Sequence, residues 1–410
     1  MELLMTRQQK AILRDYLVIV GSFLPFSFST DYVQHTCQVS SRDNTVVVFL
    51  WGDALTFKEM LTQRVFLRTL SHLVRKERGI TLFTPIHYIP LRRFEFVRQV
   101  NLFLNVFLLR LYLLTKHLLR PKKVLWIFNY ELYNLPALMG NSYISLYDCV
   151  DYVSSLDPEI HADIKRKERR LIQHVDYFFV NSQALQSRFA SYSPIVVPQG
   201  FDFQTFKSAD TTTHTKLFGI KHPIIGYVGG VNYRLDYPLL IALARGHPEW
   251  SFIFVGEKQV QQSEDRYTQT ERQLKRLFSL KNATHIDKQP KSDLPAIISG
   301  FDVCLIPYNI KIAFNQYCYP MKLFEYFYMG KPVVSTPVRT LFPLKPSVSI
   351  AQDSTEFSQA IARALEKKPS PDVVKKQRQL ARDNSWEAKV RSISRFIIFN
   401  LLSTIIPFAL

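Results

Sequence analysis

Short apolar runs of strand length alternate with longer stretches of helical periodicity along almost the whole chain, and this alternation limits the fold more than any other feature. The runs at 16–22, 45–51, 124–129, 142–148, 177–182 and 194–200 are rich in valine, isoleucine and aromatic residues. A polar, threonine-rich stretch from 201 to 222 has no periodicity and reads as a linker. A second series of apolar runs follows at 223–230, 251–257, 302–308, 331–337 and 347–351. Strands alternating with helices predict the α/β class with mostly parallel sheets. The expected domains are Rossmann-like and doubly wound, at 1–205 and 206–384. A terminal helix at 385–410 is expected to cross back to the first domain, capped by Asn384 with Glu387 completing a capping box. Open α/β sheets bind ligands outside the carboxyl ends of their strands, so two such domains facing across a cleft would share a ligand there.

Charge narrows the class of partner. The 410 residues include 52 lysines and arginines against 34 acids, a net charge of +18 that calls for an anionic partner. Cys37, Cys149, Cys304 and Cys318 show no C-x-x-C spacing, so neither a zinc site nor a disulfide framework is indicated, and a reducing cytoplasm is expected. The N-terminus has no basic start, long apolar core and small-residue cleavage site in series, so no signal peptide is read there. No uncharged apolar stretch reaches the roughly 18 residues of a membrane span.

The stretch "YPMKLFEYFYMGKPVVSTP" at 319–337 carries the sharpest chemical signal. Pro320 suits the first turn of a helix, because the N–H it lacks would have had no partner. Gly330 suits the residue just past the helix end, and a strand follows from Lys331. Leu323, Phe324 and Phe327 form a core face, while Lys322 and Glu325, three apart, share another face near the start. A helix start and a lysine attract a diphosphate, and a carboxylate accepts hydrogen bonds from a ribose diol. The competing reading is a solvent-facing ion pair worth a few tenths of a kcal/mol.

These residues resemble a known family. "DLPAIISGFDVCLIPY" followed by "YPMKLFEYFYMGKPVVSTP" is similar to the donor-binding segment of GT-B glycosyltransferases, in particular the bacterial surface-polysaccharide group that includes teichuronic-acid-type transferases. The elements that match are Leu294, Pro295, Asp302, Val303, Leu305, Pro307, Pro320, Lys322, Glu325, Tyr326, Gly330, Pro332, Val333 and Val334. "YDCVDY" at 147–152, "VPQGFDFQTF" at 197–206 (with Gln199 where the group has asparagine) and the terminal "NSWEAKVRSISRFI" extend the resemblance; the first 140 residues match only in strand order. The resemblance implies a glycosyltransferase that moves a sugar from a nucleotide-diphosphate sugar, expected to be a UDP-sugar, to a glycan during cell-surface polysaccharide assembly. It implies no cofactor beyond that co-substrate, and Pro320, Met321, Lys322 and Glu325 as donor-binding residues.

The sequence departs from the pattern of retaining members at two places. The first of their paired glutamates falls at Tyr317, and the first loop of the second domain, "GGVNYRLDYPLL", keeps one cation, Arg234, as the candidate diphosphate contact. A catalytically silent relative that binds a sugar nucleotide is the alternative that Tyr317 raises. Tyr147-Asp148 stands where many members have histidine-aspartate, as it does in the closer group. An inverting transfer needs a base for the acceptor hydroxyl, and Asp151 and Asp148, at the end of a strand, are the candidates, Asp151 ahead because it lies farther into the loop. The bland alternative for either is tying the loop backbone. Asp157 before Pro158 reads as a helix cap. Tyr147 and His35 are assigned to the acceptor side. No D-x-D occurs, so no metal is expected, and Lys322 with Arg234 would stabilise the leaving diphosphate.

Residues 92–123 combine leucine and phenylalanine with nine lysine, arginine or histidine residues, and "IKRKERR" at 164–170 adds a second basic cluster. Arg110 and Lys116 interrupt the apolar run, which suits a helix lying in an anionic membrane interface or packed on its own domain. The apolar tail at 396–410 contains Pro407 and reads as a docking segment. The expectation is a peripheral enzyme on the cytoplasmic face of the plasma membrane, with a lipid-linked acceptor. A nucleic-acid partner is not expected, since the basic residues are interleaved with aliphatic ones rather than with a stacking platform.

Overall fold

The computed structural model describes residues 13–405 other than 24–25, 27–30, 57, 60–72, 92, 121, 154–157, 209–211, 213 and 259–263. The cap expected at Asp157 and the end of the tail with Pro407 lie outside the described residues. The chain divides into two compact units, Met1–Pro198 with Trp386–Leu410, and Gln199–Ser385.

The first unit runs β1 (Leu17–Ser22), α1 (Asp31–Ser40), β2 (Thr45–Leu50), β3 (Val74–Glu77), β4 (Ile80–Phe83), α2 (Glu95–Thr115), β5 (Lys123–Ile127), β6 (Ile144–Cys149), α3 (Pro158–His174), β7 (Tyr177–Val180) and β8 (Ile195–Val196). Its sheet has the order β8-β7-β6-β5-β1-β2-β4-β3. Only β3 runs antiparallel, against β4. Every residue of β1 is buried, which is why its sequence LVIVGS has no polar face. The terminal helix Trp386–Ile405 belongs to this unit and adds Val390, Ile393 and Ile397 to the core beneath β1, β2 and β5.

The second unit holds β9 (Ile224–Val228), α4 (Tyr237–Gly246), β10 (Ser251–Val255), β11 (Ala283–Ile286), β12 (Val303–Ile306), α5 (Lys322–Tyr328), β13 (Val333–Ser335) and β14 (Ser349–Ile350). These strands form one parallel sheet in the order β11-β10-β9-β12-β13-β14. That is the 3-2-1-4-5-6 arrangement of the Rossmann fold, whose strand order reverses between its first and fourth strands, here β9 and β12.

Two elements were not expected, and two expectations are corrected. The β3–β4 hairpin carries no Asn-Gly or Asp-Gly signal; it turns on Arg78 and Gly79, with φ of 48° and 82°, the two left-handed residues that a tight hairpin turn needs. Strand β11 was not among the expected strands, because "ATHI" is short and half polar. The start of the expected linker is core: Phe201 and Phe206 are buried and pack with Phe324 of α5 and Tyr328, so the second unit begins before residue 206. Asn384 donates its amide to the Leu380 carbonyl at 2.7 Å and closes the helix Pro371–Asp383, rather than capping the next one.

By length and composition α2 is apolar enough to cross a membrane, with mean hydropathy 1.3, although a third of that window is buried inside the unit. Its inner face explains the packing. Asn101 and Asn105, both fully buried, act as surrogate strand neighbours for the segment 86–89. Asn105 accepts from the Ile86 N–H and donates to the Ile86 carbonyl, both at 2.8 Å. Asn101 does the same for Ile89 at 3.0 and 2.9 Å.

Candidate functional site

The switch point of the second sheet is where the signature residues gather. Strand β9 ends at Val228, followed by Gly229, and β12 leads through Pro307 to Tyr308. Helix α5 comes back to this edge and is tied to β9 twice. The Val228 N–H donates to the Tyr326 hydroxyl at 2.9 Å, and the Lys322 ammonium donates to Tyr227 Oη and Tyr308 Oη, each at 2.9 Å. Its Nζ also lies over both rings, 4.1 and 5.0 Å from their centroids. The first turn of α5 is tight: Leu323 N–H bonds to the Pro320 carbonyl at 3.1 Å and Phe324 N–H to Met321 at 3.0 Å. Pro320 is buried and Met321 half-buried at the N-cap.

The lysine's environment holds it charged. Burial by itself would lower its pKa, but the oxygens of Tyr227 and Tyr308 outweigh that and raise it above the ordinary lysine range. The Tyr227 hydroxyl donates its own hydrogen bond to the Gly230 carbonyl at 3.0 Å, which leaves a lone pair to receive Lys322. An ammonium has three N–H groups. Two serve the tyrosines, and no third hydrogen-bond partner is found for the ammonium among the described residues.

Glycine is required beside it. Gly229 has a φ of 136°, and a Cβ there would come within 2.6 Å of Lys322 Nζ. Gly256, just past β10, has a φ of 148°, and its Cβ would lie 2.1 Å from the Gly229 carbonyl oxygen. Both positions need the left-handed region and bare backbone.

Arg234 flanks the same aromatic ring. Its guanidinium carbon is 4.8 Å from the Tyr308 centroid and 4.4 Å from that of Phe314. Its Nε donates to Asn315 Oδ1 at 2.8 Å, and the amide of that buried asparagine donates back to the Arg234 and Asn309 carbonyls, both at 2.9 Å. Tyr308 thus carries a cation against it from each of two elements, and the switch point has a concentrated positive field. Glu325 is half-buried one turn along α5. Tyr317, at the position of the missing glutamate, has the Arg339 guanidinium 5.3 Å from its ring centroid. The sequence reading named Lys322, Glu325 and Arg234; it did not name Tyr227, Tyr308, Gly229 and Asn315, which the structure places beside Lys322 and Arg234, and the G-G pair after β9 was the one available signal.

In the first unit the structure separates residues that the sequence placed together. Asp148 on β6 is fully buried. It accepts from Trp126 Nε1 at 3.2 Å and pairs with Lys389 of the terminal helix at 2.9 Å. A carboxylate with no exposure and both oxygens engaged cannot take a proton from an acceptor, so its expected role as a base is corrected to an internal ion pair. Tyr147 is likewise buried: it stacks on Phe178 at 5.3 Å and donates to Glu168 Oε1 at 2.9 Å, which removes it from the acceptor side. His35 is half-buried on α1 and stacks on Trp386 at 5.6 Å. Asp151 is partly exposed beyond β6. Its charge is felt by Tyr32, whose phenol is pushed above its ordinary range by burial first and by Asp151 and Asp148 next.

Comparison with known proteins adds the following similarities. Residues 222–367 match the family model described as glycosyl transferases group 1. The chain is 24% identical over 270 residues to a putative teichuronic acid biosynthesis glycosyltransferase of Bacillus subtilis, a match that covers 61% of this chain and 66% of that protein, just under two thirds. Among solved structures, sucrose-phosphate synthase from Thermosynechococcus elongatus superposes with a TM-score of 0.71 at 16% identity, covering 95% of this chain and all of the other. An Escherichia coli trehalose-6-phosphate protein bound with UDP-2-fluoro glucose gives 0.67 at 13% identity over 96% of this chain and 100% of the other. Anabaena HepE, in complex with UDP and glucose, gives 0.65 at 15% over 95% and 100%. Residues 222–367 thus resemble the glycosyl transferases group 1 domain, and the chain has the GT-B fold.

Proposed function

We propose that the protein transfers a sugar from a nucleotide-diphosphate sugar, of the UDP type, to a lipid-linked glycan in cell-surface polysaccharide assembly, working from the cytoplasm at an anionic membrane surface. The observation that carries the reading is the Lys322 ammonium held by Tyr227 and Tyr308 at the switch point of the second sheet, with Arg234 on the other side of Tyr308. A diphosphate is the anion that two nearby fixed cations suit. As α5 has only seven residues, the fixed charges rather than the helix dipole do most of the binding. Glu325 takes the ribose hydroxyls, and Pro320 and Met321 set the turn that aims both side chains. The relatives lend support: the B. subtilis protein is named for teichuronic acid biosynthesis, and two of the superposed structures hold UDP or a UDP-sugar.

In the first unit Asp151 is the remaining candidate base, and His35 a contact on the acceptor side. As the base, Asp151 accepts the proton of the acceptor hydroxyl while that oxygen bonds to the sugar's anomeric carbon and the bond from that carbon to the diphosphate breaks. Lys322 and Arg234 stabilise the charge left on the diphosphate. No metal is assigned a part.

Calorimetric titration with UDP and a donor-turnover assay test the assignments. Glu325→Ala is expected to weaken UDP binding by about 1–3 kcal/mol, the loss of a hydrogen bond to a charged group. Asp151→Asn is expected to leave UDP affinity unchanged and abolish turnover. Unaltered affinity in the first variant refutes the ribose assignment, and unaltered turnover in the second refutes the base. Tyr317, which has no carboxylate where retaining members have one, favours a second reading, a chain that binds the donor without turning it over. UDP binding by the wild type with no turnover of any donor sugar would establish that form.

A further inference from the structure

The outer face of α2 has the polarity of an interior. Phe96, Phe103, Phe107, Leu111 and Leu114 are 77, 56, 59, 46 and 59% exposed. At 100° per residue the five fall within about 80° of arc, and from first to last they span about 27 Å of helix. The opposite face buries Leu102, Val106, Leu109 and Leu113 and also the fully buried Asn101 and Asn105. An amphipathic surface helix places its apolar side inward and its polar side outward. Here the most polar inward residues are buried and the largest apolar residues face out. Exposed Leu91 and Phe94 precede the stripe and exposed Leu119 follows it. A continuous apolar surface of this length marks an interaction site.

Charge selects the occupant. Residues 92–123 hold eight lysines and arginines against the single acid Glu95. That acid is already engaged by Arg98, Tyr133 and Gln99, and its carboxyl is held at about 2, where burial opposes and these hydrogen bonds and Lys167 prevail. Arg93 before the helix and Lys116, Arg120 and Lys122 after it are exposed. Arg110, beside the stripe, donates to the Met139 carbonyl at 2.7 Å and so braces the helix. A second copy of the chain would bring one basic end against another in either helix direction, and like charges oppose such pairing. An anionic lipid surface complements both features at once, taking the apolar side chains among its acyl chains and the basic ends at its headgroups.

We propose that α2 is a lipid-docking surface, lying in the interface of an anionic membrane with Phe103, Phe107 and Leu111 inserted and the cations at its two ends on phosphate headgroups. Such docking would serve the transfer to a lipid-linked acceptor proposed above, and its purpose rests on that reading. The buried Asn101–Asn105 ladder keeps the helix fixed to its own unit, so it lies on the membrane rather than crossing it.

Flotation of the full chain with vesicles of phosphatidylcholine, with and without phosphatidylglycerol, tests the proposal, alongside calorimetry with UDP. The wild type is expected to float with the anionic vesicles. Phe103→Ser, Phe107→Ser and Leu111→Ser together should lower the bound fraction at least about tenfold while UDP affinity stays constant. Should that variant lose its cooperative melt, the charge reversal Lys116→Glu, Arg120→Glu and Lys122→Glu decides, with loss of the preference for phosphatidylglycerol expected. Wild type that stays unbound at low salt, or either folded variant binding like the wild type, overturns the proposal. So does a wild-type dimer, in the absence of vesicle binding, that the serine variant dissolves. Vesicle binding without UDP binding would instead sink the transferase reading and leave the docking surface standing.

Discussion

Lys322 shows how a residue type acquires its setting from its neighbours. On the sequence it is one lysine three places before a glutamate, equally suited to a surface ion pair. In the structure two phenol oxygens hold its ammonium, and Gly229 keeps a Cβ away from it. Glu168 gives the complementary lesson for an acid. It is buried on α3, and burial, against the Tyr147 hydrogen bond and the Arg188 charge, raises its pKa from 4.5 to about 7. An acid raised in the folded state is stabilising in its protonated form. That contribution is complete below the unfolded value of 4.5 and disappears as pH rises through about 7. Glu168→Gln should therefore remove a loss of stability with a slope of up to about 1.4 kcal/mol per pH unit across that window. Urea unfolding of both proteins at several pH values between 5 and 8 is the measurement, and parallel profiles would contradict it.

Among elements, α2 and the terminal helix show why apolar content alone misleads. Both are rich in phenylalanine and leucine. The terminal helix turns Val390, Ile393 and Ile397 into the core, whereas α2 keeps its larger apolar residues outside and spends two buried asparagines on the backbone of 86–89. Asn105→Ala would leave the Ile86 N–H and carbonyl buried without their partners, at a cost of about 1–3 kcal/mol each. A drop of that order in unfolding free energy, with the serine variants of the outer face close to neutral, is the expected contrast; equal effects on the two faces would refute it. The periodicity of 92–123 was legible in the sequence, but not which face was inside, since leucine and phenylalanine occur on both and the decision lies with two asparagines.

At the scale of the molecule, the chain makes its second unit as an insertion, and returns to complete the first with residues 386–405. Lys389 secures that return. Its ammonium is buried with Asp148, at the end of β6, and removal of one partner strands the other's charge. Lys389→Ala is expected to destabilise the first unit by about 3–5 kcal/mol. Differential calorimetry should show one transition lowered and the other unchanged; an unmoved melt would return Asp148 to the list of acid–base candidates.

By itself the sequence determined the α/β class, the positions of most strands and the one short helix that carries the family pattern, because each is written in local periodicity and turn chemistry. It missed strand β11 and the β3–β4 hairpin, whose residues lack strong local preference, and it took Phe201 and Phe206 for linker because their partners, Phe324 and Tyr328, lie more than a hundred residues away. Only the tertiary structure decided which of two neighbouring carboxylates is sealed inside, which tyrosines grip the lysine and which face of α2 meets the outside. Those outcomes depend on contacts between distant segments, and burial, hydrogen-bond partners and local charge exist only once the segments are packed together.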